Sequence, residues 1–182
     1  MPGTDRNILK SLMAYVRGLL KAPPSASGWA PFTVYNEQDL TAFNNGAPGP
    51  NWPFIFLLET YMRPKPALLP MIIVEINPVR QMPYELGNRS GRTQTGMIHC
   101  FGKTRGQRDD LSSFFLDYLG NTFPVYSYTS TPLGDTSSFV ENAEIQPGVL
   151  RDLPVKELTP DQRREGTLDL WMIVNFIFRT KT

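Results

Sequence analysis

This chain has very little thiol and imidazole chemistry: its 182 residues include one cysteine, Cys100, and one histidine, His99. A single cysteine excludes an internal disulfide and fits a reducing compartment. One histidine and one cysteine also fall short of the ligand set of a structural zinc site. The two are neighbours in a predicted strand, where adjacent side chains point to opposite faces, so they cannot act as a nucleophile and its base. We expect no catalytic residues, no bound metal, no cofactor and no enzyme activity.

An excess of one charge and a long apolar run are also missing. Lys and Arg number 18 against 17 Asp and Glu, so net charge gives no strong attraction to nucleic acid or anionic lipid. No segment approaches the ~20 apolar residues of a membrane span. Charged residues interrupt the first apolar stretch instead of preceding it, unlike a signal peptide. The chain is therefore expected to be made in the cytoplasm and to avoid membranes.

What the sequence does contain predicts an α+β fold. We expect a mixed, mainly antiparallel sheet with two main helices, at about 5–21 and 107–119, packed on it. Long loops rich in proline and glycine connect these elements, and the chain has 17 prolines. Residues 1–182 are expected to form a single domain. Within it, 22–67 reads as an extended arm or a hairpin insertion.

Both helices are predicted from apolar residues at helical spacing. The first stripe comprises Ile8, Leu9, Leu12, Val16, Leu19 and Leu20. The second comprises Leu111, Phe114, Phe115, Tyr118 and Leu119. Arg6, Lys10 and Arg17 lie off the first stripe, on a face that is either solvated or docked on phosphates or a partner. In the second helix, Asp109 and Asp110 are placed near the positive end of the dipole, with Gly120 as its stop.

Strands are predicted where apolar and β-branched residues cluster or alternate. They fall at 32–35, 54–59, 70–77, 95–101, 123–128, 139–145 and 167–179. The strand at 70–77 is expected to be central, with both faces covered. In the last strand, Leu168, Leu170, Met172, Val174, Phe176 and Phe178 share one face. Trp171, Ile173 and Ile177 share the other, which is covered either within the subunit or by a neighbouring subunit.

The middle of the chain is locally basic. The candidate interface or channel-lining residues there are Arg80, Glu85, Arg89, Arg92, Lys103, Arg105 and Arg108. Solvated loop charge, contact with a DNA backbone and contact with an acidic neighbour all remain open. The segment GKTRG at 102–106 lacks the earlier glycine of a phosphate-binding loop, because Met97 occupies that position.

The order of these motifs resembles the neck proteins of tailed bacteriophages, and among them the tail terminator or tail-completion type. The resemblance rests on PMIIVEI, ELGNRSGRT, MIHCF, RGQRDDL, FPVYSY and the closing strand, so it covers about 68–130 and the carboxy terminus. It implies a homohexameric ring in the virion neck that caps the tail tube protein and meets the head–tail connector or adaptor. Genomic DNA would pass through the lumen without sequence-specific recognition. The loops at 78–94 and 129–138 are the candidate contacts with tube or connector.

Three other functions remain. The first is a head-closure or adaptor subunit on the portal side of the same neck. The second is a small nucleic-acid-binding domain that uses the basic region at 80–108. The third is a cytosolic enzyme whose site carries no recognisable motif.

Overall fold

The elements of the fold are given by a computed structural model, which describes residues 4–35, 54–58, 69–77, 92–131, 134–146, 151–154 and 171–180. The helices are α1 (Thr4–Lys21) and α2 (Arg105–Tyr118). The first four strands are β1 (Thr33–Tyr35), β2 (Phe54–Leu58), β3 (Met71–Asn77) and β4 (Arg92–Phe101). The last four are β5 (Thr122–Thr131), β6 (Gly134–Ile145), β7 (Arg151–Pro154) and β8 (Trp171–Thr180).

All eight strands belong to one sheet, in the order β1-β2-β3-β4-β8-β6-β5, with β7 beside β8. The pairs β1–β2 and β2–β3 are parallel, and the other pairs described are antiparallel. Strand β8 is paired with β4 along its whole length. Its other edge is shared between β7 at Met172–Asn175 and β6 at Phe178–Arg179. The predicted α+β class, with a mixed and mainly antiparallel sheet, is confirmed.

The parallel pairing of β1 and β2 corrects the prediction of a hairpin within 22–67. Thr33 lies opposite Phe54 and Tyr35 opposite Phe56, in parallel register. Parallel neighbours need a crossover, whereas a hairpin joins antiparallel strands. Both strands are also integral to the sheet, so these parts of 22–67 are not an arm. Residues 36–53 and 59–68 lie outside the described residues.

The main core lies between the sheet and both helices, because each helix turns its apolar stripe to the same face. From α1 it contains Ile8, Leu12, Met13, Val16 and Leu20, and from α2 Leu111, Phe114 and Phe115. The sheet contributes alternate residues, among them Ile72, Val74, Ile98, Val174, Phe176 and Phe178. Both helical stripes and the described part of the β8 alternation are therefore confirmed. Leu168 and Leu170 lie outside the part of the chain that the structure describes.

Helix α1 lies between the two ends of the sheet order. It contacts β5, the last strand, as well as β3 and β1. Pro23 and Pro24 follow its last residue, as expected of residues that cannot continue a helix. Gly28, at φ 70°, then lets the chain turn towards β1, and Trp29 stacks on Phe32 with ring centroids 5.5 Å apart.

Helix α2 begins two residues earlier than predicted, because Thr104 caps it. The Thr104 side chain accepts a hydrogen bond from the Gln107 backbone N–H (3.2 Å), and Gln107 Oε1 accepts one from the Lys103 N–H (3.0 Å). This exchange resembles a capping box, in which a polar side chain at each end satisfies a backbone donor at the other. Asp109 and Asp110 consequently lie beyond the first turn, so their predicted role at the dipole's positive end is wrong.

The predicted stop at Gly120 is also wrong. The helix ends at Tyr118, and Leu119 takes an extended conformation while its N–H still bonds to the Phe115 carbonyl (2.9 Å). The Gly120 N–H donates instead to the Tyr15 hydroxyl of α1 (2.9 Å), which ties the end of α2 to the other helix.

The opposite face of the sheet has a second, smaller apolar cluster. It comprises Phe56, Leu58, Leu69, Met71, Ile73 and Phe101, with Tyr35 and Trp171 packed against it. Met71, Ile72, Ile73 and Val74 are all buried, so β3 is covered on both faces as predicted. The Leu69–Pro70 peptide bond that precedes β3 is cis. Neither of the two helices described here has the length and apolar character needed to cross a membrane.

Candidate interaction surface

Strands β5 and β6 form a long two-stranded ribbon that leaves the sheet. They pair from Thr122–Glu144 at the base to Thr131–Gly134 at the far end. Strand β6 meets β8 only at Glu144 and Ile145. At a strand rise of about 3.3 Å per residue, the part of β5 beyond Val125 extends about 20 Å. Within the sheet, the ribbon is thus joined to β8 at its base alone in the described part of the chain.

The ribbon corrects the prediction of a turn-rich loop at 129–138. Within that segment, residues 129–131 and 134–138 belong to paired strands, and residues 132 and 133 lie outside the described part of the chain. Serine and threonine dominate the segment, and these residues form side-chain hydrogen bonds typical of turns. In the ribbon they belong instead to two paired strands, on which Thr129, Ser137 and Ser138 are exposed. The segment remains a candidate contact, with a defined backbone.

A β-bulge lies where the ribbon leaves the core. Val125 is opposite Glu141 and Tyr126 is opposite Phe139, so Val140 is the extra residue on β6. Phe139 is 58% exposed and Val140 45% exposed, whereas Ala143, nearer the base, is fully buried. Large apolar side chains with this exposure at a bulge form a candidate contact point.

Phe139 continues into a row of aromatic rings on the ribbon. Its ring centroid is 6.1 Å from that of Tyr126, and Tyr126 is 6.4 Å from Tyr128. We call Phe139, Tyr126 and Tyr128 the aromatic ridge. The Lys10 ammonium of α1 lies 5.5 Å from the centre of the Tyr128 ring, within cation–π range. The ridge therefore runs from the bulge towards the polar face of α1.

The outer edge of β5 is closed by side chains of α1. Ser11 Oγ accepts a hydrogen bond from the Tyr126 N–H (2.9 Å), and Asn7 Oδ1 accepts one from the Tyr128 N–H (3.4 Å). Pro124, two residues before Tyr126, has no N–H to offer. Exposed strand edges are templates for pairing with another chain. Over Pro124–Tyr128 this edge is blocked to a strand from a neighbour.

The basic residues predicted to line an interface or channel lie in different settings. Lys103, Arg105 and Arg108 surround the amino end of α2. Arg108 is paired with the Asp109 carboxylate, with Nε 2.7 Å from Oδ1. Arg92, predicted in the loop, begins β4 opposite Thr180 because the strand starts three residues earlier than expected. Arg80, Glu85 and Arg89 lie outside the described residues.

The second face of β8 is partly occupied by contacts within the subunit. Trp171, Ile173 and Ile177 are all partly buried. The Trp171 ring stacks on Phe101, with centroids 5.4 Å apart and planes at 15°. Packing within the subunit thus explains much of the burial of Trp171. A subunit contact at Ile173 and Ile177 stays a prediction.

His99 is held in one tautomer by its two partners. The Trp171 indole N–H donates to Nδ1 (3.3 Å), so the ring hydrogen is on Nε2, which donates to Glu75 Oε2 (3.3 Å). Burial lowers the pKa of His99 below its ordinary value of 6.5, and the Glu75 carboxylate opposes part of that shift. Cys100 is in the core on the helix side, so the prediction that the two residues face opposite ways is confirmed.

No group of three or more His, Cys, Asp or Glu side chains that could hold a metal ion occurs in the described ranges. The features that sequence reasoning missed are the aromatic ridge, the exposed Val140 and the closure of the β5 edge. Two alternating tyrosines before a PLGD segment were the available signal for the ribbon. Comparison with protein-family models and with curated proteins found no match to this sequence.

Proposed function

We propose that this chain is a structural subunit of the neck of a tailed bacteriophage, of the tail terminator type. In this function, copies form a hexameric ring that caps the tail tube and joins it to the head-side connector, with DNA passing through the lumen. The observation that carries the proposal is the ribbon, which is anchored in the core at one end and exposes Phe139 and Val140.

The ribbon has the properties of a surface built for attachment. Aromatic residues are enriched in protein–protein interfaces and dominate their binding energy when a partner buries them. The rings of Phe139 and Tyr126 contact each other across the two strands, which restricts part of their side-chain freedom before a partner binds. Ser11 and Asn7 hold the strand beneath them to α1. We assign this ridge to the contact with the tube or the connector.

The environment of the single histidine supports a structural role. Both ring nitrogens of His99 have partners in the same sheet, and the side chain is 5% exposed. A general base has to reach a substrate proton within hydrogen-bonding distance. An imidazole enclosed in this way is better explained by packing, which favours the assembly subunit over the enzyme.

The head-closure or adaptor alternative has the same location in the neck and differs in the partner that the ridge would contact. The nucleic-acid alternative depends on the region at 80–108, where Arg108 is paired with Asp109. Steep salt-dependent duplex binding that is lost on replacing Arg89 and Arg92 with alanine would favour that alternative.

The test uses purified chain mixed with tail tubes assembled from the tail tube protein of the same virus. Unmodified protein should form a ring at tube ends in negative-stain images and stop further tube growth. A variant with Phe139→Ser and Val140→Ser should keep its far-UV circular dichroism and lose capping. Ser137→Ala with Ser138→Ala, on the same strand, is the matched control and should cap normally.

The opposite result is equally clear. Unmodified protein that remains monomeric at all concentrations, and neither caps tubes nor binds the purified connector, would refute the neck function. Binding to the connector alone would identify the head-closure or adaptor subunit.

A further inference from the structure

The two helices present outer faces of opposite charge. On α1, Arg6, Lys10, Arg17 and Lys21 fall within an arc of about 60° at 100° per residue. We call these four residues the basic stripe; Arg6 and Lys21 are exposed, and Lys10 and Arg17 are partly exposed. The stripe flanks the buried face of α1, with its centre about 115° around the helix from the centre of the apolar residues in the core.

On α2 the outward face is acidic. Asp110 and Asp117, the acidic stripe, are both exposed and lie within about 20° of each other around the helix. Ser113 lies between them and is also exposed. The cations of this helix, Arg105 and Arg108, are displaced from this face by about 100° or more. The helix therefore presents its carboxylates to the outside and its apolar residues to the sheet.

The two stripes also match in spacing. Lys10 and Arg17 are seven residues apart, as are Asp110 and Asp117, so each pair spans about 10 Å. Small exposed residues stand between the charges, Ala14 on α1 and Ser113 on α2. A Cβ built on Gly18, next to Arg17, would meet nothing within 4 Å. Small side chains at such positions let two helices approach closely.

We propose that the basic stripe of one copy docks against the acidic stripe of the next copy. This inference rests on the proposed ring, because a contact between two different patches of the same chain propagates head to tail and closes by rotation. Strand addition at β5 is blocked over Pro124–Tyr128, so a lateral contact at this part of the sheet edge has to use side chains. The ridge on the ribbon stays available for tube or connector.

The strength of this contact is limited. An exposed ion pair changes an equilibrium constant by about fivefold or less. Complementary stripes of this kind mainly orient two partners and speed their encounter. We therefore expect weak association of the free chain that weakens further at high salt, and ring closure at high concentration or on a tube.

Charge reversal tests the pairing directly, read by sedimentation at low salt over a series of concentrations. Lys10→Glu with Arg17→Glu places two carboxylates in the middle of the basic stripe, between Arg6 and Lys21, where they would face the acidic stripe. Asp110→Lys with Asp117→Lys makes both outer helix faces basic. Each variant alone should show a dissociation constant raised about tenfold or more. An equimolar mixture should associate again, and so should a single chain carrying all four changes. Lys103→Glu with Arg105→Glu is the matched control off the stripes and should associate like the unmodified chain.

Cross-linking gives a second readout that does not depend on tight binding. Cys100 is fully buried, so cysteines introduced at Ala14 and Ser113 are the reactive ones. A short bifunctional maleimide should convert the double variant into a ladder that ends at the ring size. Each single variant should stop at monomer, because head-to-tail contacts never bring two copies of one stripe together.

The outcomes separate this inference from the proposed function. If the unmodified chain forms rings and both reversed variants form them equally well, the helix pairing is refuted and the neck function stands. A dimer from a single-cysteine variant would replace the head-to-tail contact with a two-fold one. Loss of duplex binding in the acidic variant, with association unchanged, would make the basic stripe a nucleic-acid surface. If the unmodified chain does not associate at any concentration or on tubes, and the double-cysteine variant gives no ladder, the ring itself is refuted.

Discussion

The substitution Gly96→Ala tests the closest packing in the core. Gly96 on β4 lies opposite Phe176 on β8. A Cβ at position 96 would be 2.3 Å from Cζ of Phe176, 2.6 Å from Cε2 and 2.9 Å from Cε1. Carbon atoms pack at about 3.5–4.0 Å, so the ring has to move by more than about 1 Å. Phe176 is fully buried among other core residues, which leaves little room for that movement.

The expected size of the effect is a balance of two terms. Overpacking of this kind costs about 1–3 kcal/mol. Replacing glycine with alanine in a strand returns about 0.5–1 kcal/mol, because the unfolded chain loses freedom. Gly96→Ala should therefore lower the free energy of unfolding by up to about 2.5 kcal/mol, measured by urea denaturation with circular dichroism.

The same chemical change on α1 is the matched control. A Cβ on Gly18 would meet nothing within 4 Å, so Gly18→Ala should stabilise the protein by about 0.5–1 kcal/mol through helix propensity. Adding Phe176→Leu to Gly96→Ala should show a coupling energy of about 0.5–2 kcal/mol, because the smaller side chain vacates the space. If Gly96→Ala stabilises the protein as much as Gly18→Ala does, the ring is not packed on the backbone of β4.

Three further predictions follow from individual contacts. Phe115→Ala should lower the free energy of unfolding by about 3–5 kcal/mol in urea titrations, because the side chain is fully buried. Ser113→Ala, at an exposed position of the same helix, should change it by less than about 0.5 kcal/mol. Equal effects of the two substitutions would contradict the packing of α2. Ser11→Ala should lower the free energy of unfolding by about 1–3 kcal/mol and increase aggregation in light scattering, because the Tyr126 N–H on the strand edge loses its acceptor. Unchanged stability would mean that α1 does not close this edge. Because the pKa of His99 is lowered in the folded state, the unfolded chain takes up its proton first, so stability should fall as the pH drops through 6.5 and level off below the folded pKa. The chain has one histidine, so His99→Gln should remove this component between pH 7 and the range where carboxylates titrate, and an unchanged pH profile would contradict the assignment.

Elements in which apolar residues recur at helical or strand spacing were predictable from the sequence. The stripe of α1 places Ile8, Leu12 and Val16 on one side of a helix, and the core lies on that side. In β8 the alternation of Val174, Phe176 and Phe178 likewise gives the buried face. In each case helix or strand geometry alone decides which side chains share the buried face, so the local sequence pattern is enough to predict them.

Features that depend on distant residues were not predictable. Ser11 is 115 positions from Tyr126, and nothing in either segment announces that a helix side chain closes that strand edge. The same holds for β1 and β2, whose parallel pairing depends on a crossover and not on a turn motif. Strands were predicted at 123–128 and 139–145, but the outer half of the ribbon was missed because the serines and threonines of 129–138 lack the apolar alternation that identifies a half-buried strand.

Candidate surfaces were harder to predict than the core, for a related reason. Lys103, Arg105 and Arg108 stood out because they are close in sequence, and the structure places them around one helix end. The basic stripe is spread over 6–21, and its opposing stripe is about 100 residues away on α2. A surface made by complementary elements becomes visible only when the orientation of both is known.

The ridge and the acidic stripe lead to separable functional defects, whereas the basic stripe touches the ridge through Lys10 and Tyr128. The ridge is on the ribbon beyond the core, and the acidic stripe is on α2, which packs on β8, β4 and β7. Substitutions at distant sites with no shared partner have additive effects on free energy. If ring closure uses the stripes and attachment uses the ridge, Phe139→Ser with Val140→Ser should leave cross-linked ladders intact and abolish capping. At low concentration, Asp110→Lys with Asp117→Lys should abolish the cross-linked ladders and leave attachment to the tube intact. An excess of tube should restore part of the ring, because it raises the local concentration of the chain. If either variant impairs both properties to the same extent, one surface serves both contacts and the division of roles is wrong.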